Sequence, residues 1–95
     1  MLTHIVLFRM RDRGGEDAQQ VRSALLGMKG RIPELLDIEV GLDFLRSERS
    51  YDVALITRHA GRAELDAYQV HPVHEEVKKL ILSVRESSVS VDFES

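Results

Sequence analysis

Four segments of the chain carry apolar patterns that are typical of β-strands. The first, Leu2–Met10, is rich in β-branched and aromatic residues. Apolar and polar residues alternate between Leu36 and Phe44, and they do so again over residues 88–94. Tyr51–Arg58 follows a polar turn and is predicted to pair with the second strand as a hairpin. The pattern therefore predicts four strands.

Helical spacing of apolar residues appears between these strands. From Glu16 to about Lys29 the apolar positions recur every three or four residues, and Pro33 prevents this helix from continuing. A short helical segment is predicted from Arg62 to Tyr68. A second one is predicted from Pro72 to Leu82, because proline is well tolerated in a first turn, where its missing N–H costs nothing.

The order of these elements is β-α-β-β-α-β, which predicts an α+β, ferredoxin-like sandwich. In this fold a four-stranded antiparallel sheet has its helices on one face. The first strand is apolar on both faces, with His4, Val6, Phe8 and Met10 opposite Ile5 and Leu7. Helices cover only one of these faces, so we expect a homodimer in which two sheets meet. The alternative is that a loop or a folded terminus covers the second face.

Composition narrows the class of protein. The chain has 95 residues, a formal net charge of -3 and no cysteine. This length predicts a single domain over residues 1–95. No basic tract suggests nucleic-acid binding, and disulfides, thiolate metal sites and cysteine nucleophiles are excluded. The longest apolar run, Ile5–Phe8, is too short to span a membrane, so a soluble cytoplasmic protein is expected.

The segment from Tyr68 to His74 concentrates side chains that carry acid–base chemistry. If Pro72 starts a helix, His71 lies at or next to the N-cap and His74 lies in the first turn. The positive end of a helix dipole disfavours an imidazolium ion, so His74 is expected to stay neutral near pH 7. A neutral imidazole is what proton abstraction requires.

Two other interpretations of this segment stay open. His71 and His74 are spaced i, i+3 and, with Glu75 or His4, could bind a divalent metal ion, although this spacing is a pattern of low specificity. Alternatively the residues are structural, with His71 capping the helix and Tyr68 packing in the core.

Three further side-chain groups have simple structural interpretations. His4 lies on the same strand face as Val6 and Phe8, where a histidine is more often a hydrogen-bonded core residue than a catalytic one. Tyr51 and His59, at the two ends of the third strand, are interpreted as rim residues. The charged run Glu75–Lys79 is interpreted as a solvated helix face.

The chain resembles the stress-responsive A/B barrel domain family, a branch of the dimeric α+β barrel proteins. The resemblance rests on HIVLFRMR in the first strand, IPELLDIEVGLDF, YDVALITRH, the junction LDAYQVHPVHEEV and the closing VDFE. It implies a ferredoxin-like protomer and a homodimer whose sheets form a barrel. Many members have no assigned reaction, and some are grouped under stress response.

A plant member of the family is a cofactor-free polyketide cyclase, and its motif falls on Tyr68 and His74 of this chain. The resemblance implies that His74 acts as a general base and that Tyr68 donates a hydrogen bond to the developing oxyanion. It implies that His4 and His71 bind the substrate, a small carbonyl or phenolic compound, with no metal and no cofactor. The competing expectation is a stress-responsive or small-ligand-binding dimer without turnover.

Overall fold

The computed structural model describes residues 1–95. Its sheet has four antiparallel strands: β1 (Leu2–Met10), β2 (Asp37–Leu42), β3 (Val53–His59) and β4 (Arg85–Glu94). They lie in the order β2-β3-β1-β4, so the first and last strands of the chain are neighbours. This topology confirms the predicted ferredoxin-like α+β fold.

The helices are α1 (Asp17–Leu26), α2 (Arg62–Gln69) and α3 (Pro72–Val84). Helix α1 ends earlier than predicted, because hydrogen-bonded turns begin at Gly27 and lead to Gly30, whose φ of 80° favours glycine. The predicted break at Pro72 is confirmed, since proline occupies the first turn of α3. None of the three helices has the length and apolar character needed to cross a membrane.

Two strand boundaries differ from the prediction. Strand β2 ends at Leu42, so Phe44 lies beyond the strand with 91% of its surface exposed, and the expectation that it lines a dry strand face is wrong. Strand β4 starts at Arg85, before the predicted Ser88, and pairs with β1 through an irregularity at Arg9 and Met10. Alternation alone misses this first stretch of β4 because it precedes the regular pattern.

The core lies between the helices and one face of the sheet, called here the inner face. Phe8, Val40 and Leu55 reach it from three strands, and Leu25 and Ile81 reach it from α1 and α3. The inner face of β4 is different, because the residues opposite His4, Val6 and Phe8 are Asp92, Ser90 and Ser88. A polar strand therefore borders an apolar core at this edge of the sheet.

The opposite, outer face of the sheet is apolar and open in the single chain. Ile5 pairs with Ile56 on one side and with Val91 on the other. Ile5 and Ile56 are only partly buried, and 61% of Val91 is exposed. The prediction that β1 is apolar on both faces is confirmed, whereas a covering loop or terminus is not observed.

The end of the sheet far from the helix junction is organised by a buried carboxylate. Asp52 is 2% exposed and accepts a hydrogen bond of 2.7 Å from the backbone N–H of Met10. Arg46 and Arg13 donate to the same carboxylate at 2.8 and 3.2 Å. Burial alone would raise the pKa of Asp52, but these bonds outweigh it and hold the pKa below its ordinary value. The carboxylate thus joins β1, the 43–52 loop and the loop after β1.

Candidate active site

The junction between α2 and α3 determines how His74 is held. Helix α2 ends at Gln69, and in a continuous helix the Gln69 carbonyl would accept a bond from the Val73 N–H. Here the Val73 N–H donates instead to His71 Nδ1 at 3.1 Å, which makes His71 the N-cap of α3, as predicted. The free Gln69 carbonyl then accepts a hydrogen bond from His74 Nδ1 at 3.1 Å.

This bond assigns the tautomer of His74. A carbonyl oxygen only accepts, so Nδ1 carries the proton and Nε2 of a neutral ring keeps its lone pair. Burial lowers the pKa of His74 below the ordinary value, and the nearby positive charge of Lys78 lowers it further. The expected neutral imidazole is therefore supported, with burial as the main cause. His74 has the form of a base whose free nitrogen is Nε2.

Tyr68 packs directly against His74. Their ring centroids are 4.5 Å apart, and Tyr68 is wholly buried. Its hydroxyl group has no hydrogen-bond partner in the protein, although a buried hydroxyl without a partner costs about 1–3 kcal/mol. Burial raises the pKa of Tyr68, so the hydroxyl stays protonated and is available as a donor. Proteins tolerate such a cost most readily where a ligand group can meet the donor.

His59 is the residue that sequence reasoning missed. It was predicted to lie at the rim, but it is 0% exposed and its ring centroid lies 4.7 Å from that of Tyr68. Its Nδ1–H donates to the Glu34 carbonyl at 2.8 Å, and its Nε2 accepts from the Thr57 hydroxyl at 2.9 Å. Both ring nitrogens are thus satisfied, and burial lowers the pKa of His59. His59 positions the ring of Tyr68 from the side opposite to His74.

His4 approaches the same cluster from β1. Its ring lies edge-on to Tyr68 with a centroid distance of 6.4 Å. Asp92, directly opposite on β4, accepts a hydrogen bond from His4 Nδ1. This bond fixes the orientation of the imidazole and leaves Nε2 as its free ring nitrogen.

His4 and His74 both line a cavity of about 270 Å³ between the inner face of the sheet and α3. The cavity has an apolar floor formed by Val6, Phe8, Leu25, Leu55, Ile81 and Leu82. Its polar lining comprises the two histidines, Gln69, Lys78, Arg85, Ser88 and Ser90. The volume is slightly below the roughly 300–1,000 Å³ that is usual for ligand sites, which favours a small molecule.

The remaining predicted site residues differ in their relation to this cavity. Tyr68 packs behind His74 and does not belong to the lining, and His71 is used as the helix cap. Nowhere does the structure bring together three His, Asp or Glu side chains in a cluster that could hold a metal ion. Lys78 was interpreted as part of a solvated face; it does pair with Glu75 at 3.0 Å, but it also borders the cavity.

The buried histidines predict how stability depends on pH. The folded-state pKa values of His59 and His74 lie below the ordinary 6.5, so below that pH the unfolded chain binds more protons than the folded chain. The resulting stability is complete above about pH 6.5 and is lost as pH falls, by up to about 1.4 kcal/mol per pH unit for each histidine.

Urea unfolding at pH 7.5, 6.5 and 5.5 measures this slope, and the variant His59→Gln should show a smaller one. Stability that stays constant or rises between pH 7.5 and 5.5 would contradict the assignment of both histidines as neutral.

Sequence comparison agrees with this arrangement of elements. The family model described as the stress responsive A/B barrel domain matches residues 2–95. The chain belongs to this family. No protein with a curated function is similar enough to the chain to count as a match.

Several solved structures share the A/B barrel fold. A dimeric ferredoxin-like protein of unknown function from Thermobifida fusca is 32% identical, with a TM-score of 0.86 over 99% of this chain and 90% of that one. A dimeric protein of unknown function from Bacteroides fragilis is 29% identical, with a TM-score of 0.86 over 99% and 95%. Hydroxynitrile lyase from Passiflora edulis is 16% identical, with a TM-score of 0.82 over 97% and 90%, and so shares the fold alone.

Proposed function

We propose that this A/B barrel protein is a cofactor-free acid–base enzyme acting on a small carbonyl or phenolic compound. The observation that carries the proposal is His74, whose Nδ1–H is bound by the Gln69 carbonyl while its ring lines a cavity of about 270 Å³. A positioned base near neutral pKa contributes typically 10²–10⁴-fold to a proton transfer.

In the proposed reaction, His74 Nε2 accepts a proton from the carbon next to a carbonyl group. The C–H electron pair forms a carbon–carbon double bond, and the carbonyl oxygen takes the negative charge. The enolate carbon then attacks a second carbonyl group of the same molecule and forms a carbon–carbon bond. The imidazolium returns its proton to the new alkoxide, so the cycle needs no metal and no redox cofactor. This is the intramolecular aldol closure of a polyketide cyclase.

Tyr68 is proposed to donate its hydrogen bond to the developing oxyanion. The support is its position 4.5 Å from His74, ring to ring, together with the unpartnered hydroxyl. A donor that is unsatisfied in the free protein and bonded in the transition state provides differential stabilisation. His4, oriented by Asp92, is proposed to contact the substrate from the opposite wall.

The lyase from Passiflora edulis supports this proposal only to the extent that its fold carries an enzyme. Cleavage of a hydroxynitrile also begins with removal of a proton by a base and ends with a carbonyl product. An acid–base cavity in this fold is therefore compatible with more than one reaction of carbonyl compounds.

A second candidate function is ligand binding without turnover, in a stress-responsive dimer. The observation that favours it is the complete burial of Tyr68, which does not belong to the cavity lining. In that case the hydroxyl never reaches a ligand, and the aromatic cluster only stabilises the helix junction.

In both cases the chain is proposed to form a homodimer through the outer face of the sheet. The support is the row of apolar residues on β1, β3 and β4, which is too extensive to be typical of a soluble monomer. The relatives from Thermobifida fusca and Bacteroides fragilis are described as dimeric.

Proton abstraction can be tested without knowledge of the natural substrate. A base removes the ring C–H proton of 5-nitrobenzisoxazole, the N–O bond breaks, and a coloured phenolate forms. We expect the wild-type protein to accelerate this reaction and His74→Ala to lower the rate about a hundredfold. Tyr68→Phe should lower the rate about tenfold while leaving stability unchanged or raised, since an unsatisfied hydroxyl is removed.

Lys79→Ala serves as the matched control, because Lys79 lies on the same helix but borders no cavity. It should react like the wild-type protein. Equal rates for wild type, His74→Ala and Lys79→Ala, at unchanged melting temperature, would reject the enzyme and leave the binding function.

A further inference from the structure

The charged residues of the cavity all have the same sign. Lys78 and Arg85 belong to its lining, and no Asp or Glu does. This is unexpected for a chain with 16 acidic and 13 basic residues and a net charge of -3. The arrangement gives a locally positive wall next to an apolar floor, which favours an anionic ligand group.

Arg85 owes its position to the irregular pairing of β4 with β1. Ser88 lies opposite Phe8 and Ser87 lies opposite Arg9, but Arg85 lies opposite Met10, so Glu86 is the extra residue of a β-bulge. With strict alternation, Arg85 would share the outer face with Ser87 and Val89. The bulge instead places it on the inner face with Ser88, beside the cavity. A bulge that redirects one arginine into a cavity is a feature expected of a binding site.

The two cations differ in how they are held in the free protein. The guanidinium group of Arg85 has neither a salt-bridge partner nor a hydrogen-bond acceptor in the structure. Lys78 pairs with Glu75 at 3.0 Å, but both side chains are more than 40% exposed. Exposed pairs of this kind contribute little to stability, so the ammonium group is free to exchange Glu75 for a ligand.

Helix α3 aligns these cations with the proposed base. His74, Lys78 and Arg85 fall on one stripe of the helix, together with Ile81 and Leu82. At about 1.5 Å per residue, Lys78 lies about 6 Å from His74 along the axis, and Arg85 lies about 16 Å away. Long side chains from both positions can therefore reach an anion that is held roughly one aromatic ring away from His74.

We propose that the ligand of this cavity is a small carbonyl compound that carries a carboxylate, with the carboxylate bound by Arg85 and Lys78 and the carbonyl end placed at His74. The inference rests on the proposed function for the role of His74, but the anion subsite is a separate feature of the structure. The Ser88 and Ser90 hydroxyls on the inner face of β4 provide further donors for the carboxylate.

A pair of isosteric probes tests the carboxylate preference. 4-Acetylbenzoate and 4-acetylbenzamide both carry a methyl ketone across the ring from a carboxylate or from a neutral amide. We expect calorimetric titration at low salt to show that the acid binds at least about tenfold more tightly than the amide, because charge-assisted bonds are stronger than neutral ones.

Arg85→Gln and Lys78→Gln should each weaken binding of the acid about fivefold or more and leave binding of the amide unchanged. Arg85→Lys should retain part of the preference, and Lys79→Gln should match the wild type. Melting temperatures of the variants verify that each one folds. Equal affinity for acid and amide in the wild-type protein, or no binding of either probe, would overturn the proposal, as would an acid affinity that is unaffected in both glutamine variants.

These outcomes are distinguishable from failure of the proposed function. Loss of acid preference with a 5-nitrobenzisoxazole rate that still depends on His74 rejects the anion subsite alone. Acid preference that depends on Arg85, without base catalysis, rejects the enzyme and retains a carboxylate-binding cavity.

Discussion

Asp52→Ala is expected to lower the free energy of unfolding by about 2–4 kcal/mol. The substitution leaves the Met10 N–H buried without an acceptor and removes the anion that Arg13 and Arg46 share. The two guanidinium groups are partly exposed and recover some hydration, which keeps the expected loss below that of a fully buried pair.

Urea unfolding at pH 7 measures the effect, with Asp37→Ala as the control. Asp37 pairs with Arg58 at 3.3 Å, but it is more than half exposed, so its removal should cost less than about 1 kcal/mol. A loss for Asp52→Ala no larger than that for Asp37→Ala would show that the carboxylate does not organise this end of the sheet.

Val91→Asp is expected to convert the proposed dimer into monomers. Val91 is 61% exposed in the single chain, so the monomer loses little burial, whereas two-fold symmetry places two unpaired carboxylates in each apolar interface. A desolvated charge without a partner costs several kcal/mol, so the dimer Kd should rise by at least about a thousandfold.

Sedimentation velocity at micromolar concentration distinguishes the two states. Val70→Asp is the matched control, because Val70 is also an exposed valine but lies at the junction of α2 and α3. It should remain dimeric. A Val91→Asp protein that sediments as a dimer would exclude the outer face as the interface.

The sheet was largely predictable because its signals are local. In β1 the alternation of Val6 and Phe8 with Ile5 and Leu7 identified both faces, and the structure keeps that division. The same rule applied two residues further along β3 would have placed His59 inside with Leu55 and Thr57, since all three share one strand face. The interpretation of His59 as a rim residue was wrong because it considered the end of the strand and not its register.

The chemistry of the candidate site depends on contacts that no local pattern contains. His4 and Asp92 are 88 residues apart and meet only because β1 and β4 are neighbours in a particular register. Arg85 reaches the cavity through a bulge, which alternation does not reveal. The cap at His71 was predictable from Pro72, but the transfer of the Gln69 carbonyl to His74 follows from three-dimensional geometry.

The central claim is that His74 presents a free, neutral Nε2 to the cavity, and ¹⁵N NMR of the histidine ring at pH 7 tests it most directly. The structure predicts that Nδ1 carries the proton, although free histidine favours the other tautomer, and that Nε2 gives the shift of an unprotonated nitrogen. Added 4-acetylbenzoate should perturb the Nε2 resonance. A ring protonated on Nε2, or on both nitrogens, would contradict the assignment of His74 as the base.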